Sequence, residues 1–291
     1  MKSISLKSPA KLNLYLKVVG KRSDGYHNLI TLFERIALCD VLKFTRDRND
    51  KITIECNHPD VPRKGKNLIY QAARLLQKDF AVKSGVRIKI TKKIPVAAGL
   101  AGGSSNAATT LLALNKIWKL NLSPKRLISY ARRLGSDVAF FLYQCSWALG
   151  TERGDHIKPL KLKRKLWHLL ITPRVKVYSR EVFEAFQTQF APTNILTKKG
   201  QNVNILIRAL RKNDLRKAGV LLLNDLEATT AGFHPNLLKI KDLMRNVNAC
   251  GVSLSGSGPT VFGIFSSKKA ASKAKKYLRR FYSRVFAVCT F

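Results

Sequence analysis

The run Pro95-Val96-Ala97-Ala98-Gly99-Leu100-Ala101-Gly102-Gly103-Ser104-Ser105 is made of the residue types that bind phosphate. Glycine lets a backbone turn tightly and come close to a ligand. Helix formers continue from Ala107 to Leu114, so the run is a loop that opens a helix. The first N–H groups of a helix have no partner inside it and carry the positive end of its dipole. A glycine-rich loop placed there makes a cradle for a nucleotide phosphate. A plain close-packed turn would not need three glycines, two serines and Asn106 together.

The familiar nucleotide loops do not fit. A P-loop ends in Gly-Lys-Ser/Thr, and no such triplet follows Gly103. The dinucleotide fingerprint needs a different glycine spacing. The His-Arg-Asp and Asp-Phe-Gly signatures of protein kinases are absent.

Four further places carry groups that could do chemistry. Lys11 follows Ser8-Pro9-Ala10 and is either one more surface lysine or a charge placed for a purpose. Asp137 stands just before Val138-Ala139-Phe140-Phe141-Leu142. It reads as a helix cap or as a buried carboxylate that a lysine keeps charged, able to take a hydroxyl proton. Asp24-Gly25-Tyr26-His27-Asn28 is a hairpin turn or a ligand-facing pair of rings. Ser255-Gly256-Ser257-Gly258-Pro259-Thr260 is a second loop able to approach an anion, weak as a motif by itself.

The elements that must position these groups follow from periodicity. Leu12, Leu14, Leu16 and Val18 alternate with polar partners, which predicts a half-buried strand with Lys11, Asn13 and Tyr15 on one face. Strands are expected at 31–42, 52–56, 86–90, 167–171, 252–255, 261–265 and 285–291. Helices are expected at 67–78, from the glycine loop to about Trp118, from Ser123-Pro124 to Leu134, and at 202–210, 214–223 and 235–246. A last helix over 268–284 sets Ala270, Ala271, Ala274, Tyr277, Leu278 and Phe281 against a basic solvated face. Strands and helices mix without strict alternation, which is α+β.

Composition narrows the function classes. The 291 residues carry 54 Lys and Arg against 17 Asp and Glu, a net charge of +37. Such a charge suggests polyanions as partners. Its spread along the chain, with no basic tail, reads instead as a generally basic surface. That leaves weak, salt-sensitive nucleic-acid binding as a by-product. No apolar run reaches membrane-spanning length, and the amino-terminal residues lack a secretory apolar segment. Five scattered cysteines without Cys-x-x-Cys spacing are expected to be reduced, in a cytoplasmic protein, with no structural zinc.

The order of these motifs resembles the GHMP family of small-molecule kinases over nearly the whole chain. Pro9-Ala10-Lys11-Leu12-Asn13-Leu14, Asn67-Leu68, the loop 95–105, Gly135-Ser136-Asp137-Val138, Asn224-Asp225-Leu226-Glu227 and the loop 255–260 all match. Asp24-Gly25-Tyr26-His27 is similar to the signature of the branch acting on a cytidine diphosphate alcohol.

The resemblance implies a two-domain α+β fold with the active site in the interdomain cleft. An ATP-binding domain is expected over 1–157 and a carboxy-terminal domain over 158–291. It implies ATP and Mg²⁺ at Pro95 to Ser105, with Asn67 near the base and Lys92 near the adenine. Asp137 is then the general base and Lys11 the charge stabiliser. On the substrate side stand Asn13, Tyr26 and Phe183 as the two walls around cytosine, and His27 at its edge. No protein ligand for Mg²⁺ is assigned. The expected assembly is a monomer or weak homodimer, without specific nucleic acid or membrane. Ala101 stands where the family usually has glycine, and Ala139 where it usually has proline. Ala101 matters only if that position needs a positive φ. The alternatives are a GHMP kinase for another small alcohol, and a basic nucleic-acid-binding protein on a degenerate GHMP fold.

Overall fold

The computed structural model describes residues 3–189 and 202–291. Two long strands form its spine. β1 (Ser3–Lys21) and β2 (His27–Asp47) pair antiparallel through the turn that holds Asp24 and Tyr26. β3 (Ile52–Cys56) follows, then helix α1 (Leu68–Asp79) and β4 (Gly85–Thr91). Helices α2 (Gly102–Ile117), α3 (Pro124–Leu134) and α4 (Val138–Leu142) come next. The hairpin β5 (Trp147–Thr151) and β6 (His156–Pro159) returns to pair with β2.

The later half holds β7 (Trp167–Ile171), α5 (Ser179–Gln189), α6 (Val203–Arg211), α7 (Leu215–Val220) and the short β8 (Leu223–Asn224). It ends with α8 (Glu227–Phe233), α9 (Asn236–Asn246), β9 (Gly251–Leu254), β10 (Val261–Phe265), α10 (Lys268–Leu278) and β11 (Val285–Cys289).

The first sheet runs β3-β4-β2-β1-β8, with β5 and β6 branching from β2. The second is β11-β7-β10-β9, antiparallel throughout. The expected division at 157/158 falls inside β6, and β8 from the later half completes the edge of the first sheet beside β1. Both features follow from pairing: a strand goes where backbone partners are open.

Three apolar clusters hold the layers. Phe33, Phe44, Leu76, Leu111 and Phe140 pack helices α1, α2 and α4 on the first sheet. Leu12, Leu32, Ile94, Leu100, Leu206 and Phe262 fill the space beneath the glycine loop, joining both sheets. Leu169, Ile240, Phe265 and Leu278 back the second sheet. Between the sheets Glu34 and His168 meet at 2.8 Å, both fully buried, and Thr290 donates to Glu34 at 2.6 Å.

Three expectations are corrected. A bulge in β1 leaves Asn13 opposite Phe33 and Tyr15 opposite Leu32, so Leu14 is the extra residue. Because Phe33 and Leu32 face opposite sides, Tyr15 leaves the face of Asn13 and joins the cluster beneath the loop. The last helix stops at Leu278, and Tyr277 and Phe281 are exposed, edge to face with each other. Only Ala271, Ala274 and Leu278 of that stripe are buried. The helix expected over 214–223 ends at Val220, where the chain turns to offer β8 to β1.

Candidate active site

Lys11 is brought to Asp137 by long-range packing. β1 carries Lys11 inward, its side chain only 4 % exposed and its Nζ above the Phe33 ring. α4 begins immediately after Asp137, whose carboxylate caps nothing and lies 3.7 Å from Lys11 Nζ. The cap reading of Asp137 therefore falls. Burial pushes the Lys11 ammonium down from its ordinary value, and the Asp137 charge and hydrogen bond oppose this. Lys11 also donates to Asn13 Oδ1, and Asn13 donates to Thr31 Oγ1 at 2.8 Å. Thr31 in turn donates to the Tyr15 carbonyl at 2.8 Å. A bonded chain thus fixes Lys11 independently of Asp137.

The glycine loop lies against this pair. The Lys11 backbone N–H donates to the Leu100 carbonyl at 3.1 Å, and Ser8 Oγ donates to Ser105 Oγ at 2.8 Å. Ser105 is fully buried and ties the loop to β1, while Gly103 is exposed and Ser104 half-buried. Pro95, Val96, Ala97 and Gly99 are half-buried, and Ala98 and Leu100 are anchored in the core.

α1, α3, α6, α7 and α10 begin under side-chain caps from Asn67, Ser123, Asn202, Asp214 and Ser267. α2 begins at Ala101, which has no acceptor to offer. Its first N–H groups are left to a ligand or water.

Ala101 adopts φ 52° and ψ 32°, the left-handed region that favours glycine. That conformation costs an L-residue about 1–2 kcal/mol. Replacing Ala101 by Gly should raise stability by up to about 1 kcal/mol, after the extra unfolded-state freedom of glycine is offset. A denaturant midpoint measures it. A lower midpoint would mean that the Ala101 methyl contributes more by packing than its backbone loses.

The second glycine loop closes the site from the other domain. Ser255 Oγ donates to the Gly99 carbonyl at 3.0 Å. Asn224 holds this loop by donating to the Leu254 and Gly256 carbonyls at 2.7 and 2.8 Å. A Cβ on Gly256 would stand 3.3 Å from Lys11 Nζ and 3.4 Å from Asn13 Oδ1. The loop therefore crowds directly on the charged pair.

Lys92 sits behind the glycine loop, not in front of it. Its side chain is 5 % exposed, with Nζ 2.7 Å from Asp40 and 2.6 Å from the Ile94 carbonyl. Asp40 also accepts from the backbone of Lys93 and Ile94 and from Asn106 Nδ2. Sequence reasoning missed this knot, although an acid between the apolar residues of a strand was its signal. Asn67 is a buried N-cap, accepting from Ile69 N at 2.9 Å and donating to the Pro62 carbonyl. Beside it, Leu68 lies next to Gly103, so the starts of α1 and α2 adjoin.

At the start of β2, His27 stacks on Phe183 with ring centroids 5.0 Å apart and planes 21° apart. Its Nε2 meets the Gln187 amide nitrogen at 2.6 Å. Burial, and secondarily Lys21, pushes the His27 imidazole below its ordinary value, which favours the neutral ring. Tyr26 is half exposed and has the Arg153 guanidinium over its ring. His27 and Phe183 are thus brought together, and Tyr26 presents a ring to solvent nearby in sequence. Among the described residues no cluster of three or more His, Cys, Asp or Glu could hold a metal on its own.

A family model described as GHMP kinases N terminal domain matches residues 67–145, and one described as GHMP kinases C terminal matches 206–284. A 4-diphosphocytidyl-2-C-methyl-D-erythritol kinase of Caldicellulosiruptor bescii is 38 % identical over 287 residues, 99 % of this chain and 98 % of that protein. One of Bacillus subtilis is 39 % identical over 282 residues, covering 97 % of this chain and 95 % of that one. A crystal structure of 4-(cytidine 5'-diphospho)-2C-methyl-D-erythritol kinase superposes with TM-score 0.81 at 32 % identity, covering 99 % of this chain and all of the other. Homoserine kinase from Cytophaga hutchinsonii shares the fold, with TM-score 0.77 at 20 % identity over 100 % of this chain and 95 % of that one.

Proposed function

This chain belongs to the 4-diphosphocytidyl-2-C-methyl-D-erythritol kinases of the GHMP family, and on that premise we propose which of its residues carry the reaction. The enzyme transfers the γ-phosphoryl group of ATP to the 2-hydroxyl of 4-diphosphocytidyl-2-C-methyl-D-erythritol, a step of non-mevalonate isoprenoid precursor synthesis.

Asp137 accepts the hydroxyl proton as the oxygen attacks the γ-phosphorus. The observation that carries this role is the Lys11–Asp137 pair at 3.7 Å, with a carboxylate that caps no helix. Lys11 offsets negative charge on the phosphoryl oxygens. The uncapped start of α2 and the loop 95–105 receive the triphosphate through backbone N–H groups. Asn13 orients Lys11 and borders the alcohol. Lys92 supports the loop through Asp40, and its reach toward the adenine is indirect. Asn67 shapes the base side by capping α1 next to Gly103.

Tyr26 offers a ring face to cytosine, and His27, held by Phe183 and Gln187, offers its edge. Phe183 serves as the second wall through this stack. Mg²⁺ would be carried mainly by phosphate oxygens and water, and would supply charge neutralisation at the transferring group.

The proposed assembly is a monomer or weak homodimer. The cysteines are free, which fits the cytoplasm, and no helix among the described residues could cross a membrane. The charge of +37 draws in two polyanionic substrates and needs no specific nucleic acid.

The deciding experiment follows ADP release and product mass with ATP, Mg²⁺ and the cytidine substrate, beside homoserine and mevalonate. Phosphorylation of the cytidine substrate alone is expected. Turnover of another alcohol instead would reassign the substrate while keeping the kinase.

A further inference from the structure

The tight turn between β5 and β6 carries Arg153 at its tip. The turn is pinned beside the Tyr26 loop because Leu29 N donates to the Glu152 carbonyl at 2.6 Å and β5 pairs with β2. Arg153 Nη2 donates to Asp155 at 2.6 Å, and that carboxylate is largely buried, so the guanidinium is held in one orientation. In that orientation its Cζ lies 5.0 Å from the Tyr26 ring centroid. From the chain side, Tyr26 N donates to Asp24 at 3.1 Å, and Arg22 in turn holds Asp24. The ring is therefore gripped at its backbone and backed on one face, while half of the residue remains exposed.

We propose that Arg153 is a specificity-determining positioning residue: its Asp155-anchored guanidinium backs Tyr26 and presents the ring's open face to a flat pyrimidine. The proposal rests on the placement of Tyr26 against cytosine. A free tyrosine side chain would sample several rotamers, and each productive stack would cost ordering entropy at the moment of binding. A planar cation over the ring removes part of that cost in advance and strengthens the ring by cation–π attraction. Arg153 then acts on the affinity for cytidine without touching the transferring phosphate.

The test is a thermodynamic cycle with Arg153→Met and Tyr26→Ala, alone and together, reading KM for the cytidine substrate, KM for ATP, kcat and Tm. Tyr26→Ala should raise the cytidine KM by at least about tenfold, since a base stack is lost. Arg153→Met should raise it by roughly fivefold, with ATP KM and kcat essentially unmoved, while Tm falls because the largely buried Asp155 carboxylate loses its partner. Added to Tyr26→Ala, it should raise the cytidine KM no further. An equal fivefold rise in the Tyr26→Ala background, with recovery in Arg153→Lys, would show a direct charge contact to substrate and overturn the proposal. A parallel loss of kcat and ATP affinity would reduce Arg153 to a structural residue and overturn it too. An unchanged cytidine KM in Tyr26→Ala alone would instead remove Tyr26 from the base site, taking the proposal with it.

Discussion

Replacing Asp137 by Asn should lower kcat by about 10²–10⁴-fold, the range that general-base action supplies, while ATP still binds. The amide keeps the size of the side chain and cannot accept the proton. Because Asp137 caps no helix, its loss orphans no backbone N–H, but the buried Lys11 ammonium loses its counter-charge, so Tm should fall modestly. A second effect follows from the pair itself. Burial already pushes the Lys11 ammonium down, and Asp137 opposes that push. Without the carboxylate the Lys11 value falls further. Lysine is charged below its pKa, so in the variant the positive charge is lost as pH rises from a lower starting point. ATP affinity of Asp137→Asn should therefore decline with rising pH earlier than that of the wild type. Single-turnover kinetics and ATP titrations across pH measure both effects. Near-normal turnover would remove Asp137 as the base and leave Lys11 and the loops to work by positioning alone.

Gly99→Ala should be among the most damaging single-methyl changes in the molecule. Gly99 has φ +72°, and an added Cβ would stand 2.0 Å from the Ser255 carbonyl oxygen and 3.0 Å from that of Gly258. Neither obstacle is a flexible side chain. The left-handed backbone and the forced separation of the two loops together should cost about 3 kcal/mol. For a chain of this size that is a Tm drop of roughly 6–12 °C. Activity should suffer as well, because the seam that opens is the one between Ser255 and the glycine loop. A displacement near 1 Å at a catalytic site can cost about 10²-fold.

Gly103→Ala separates the two effects. Its Cβ would meet only Leu68 Cδ1 at 4.0 Å, inside a helix that favours alanine, so Tm should stay level or rise. Because Gly103 is exposed at the start of α2, the methyl would still hinder phosphate. Calorimetry and ATP KM on both variants check the pair. A Gly99→Ala protein with wild-type Tm would mean that the two loops separate without cost, and the seam would have no role in holding the domains.

Much of the site was legible in short segments of the chain. The glycine loop could be read as a helix-opening phosphate cradle because both halves of that signal are local: small residues before, helix formers after. Strands 52–56, 167–171 and 261–265 emerged with their expected bounds because alternation or an apolar run marked them. The short helices α4 and α8 and the β5–β6 hairpin escaped notice, being too brief for a periodic pattern to show.

Other features existed only once the chain had folded. The bulge at Leu14 turned Tyr15 away from Asn13, because pairing with β2, not the alternation within β1, decides the face. Lys92 became a brace for the loop because Asp40 lies across the sheet from it. The meeting of Lys11 with Asp137, of Gly99 with Ser255 and of Arg153 with Tyr26 each joins residues far apart in sequence. Residue types and local spacing determined which groups this protein could use: a phosphate-binding loop, a second glycine loop, a lysine, an acid and an aromatic turn. Tertiary packing alone decided which of them face one another, since distance and burial, the quantities that set charge, pKa and strain, are not properties of a linear chain.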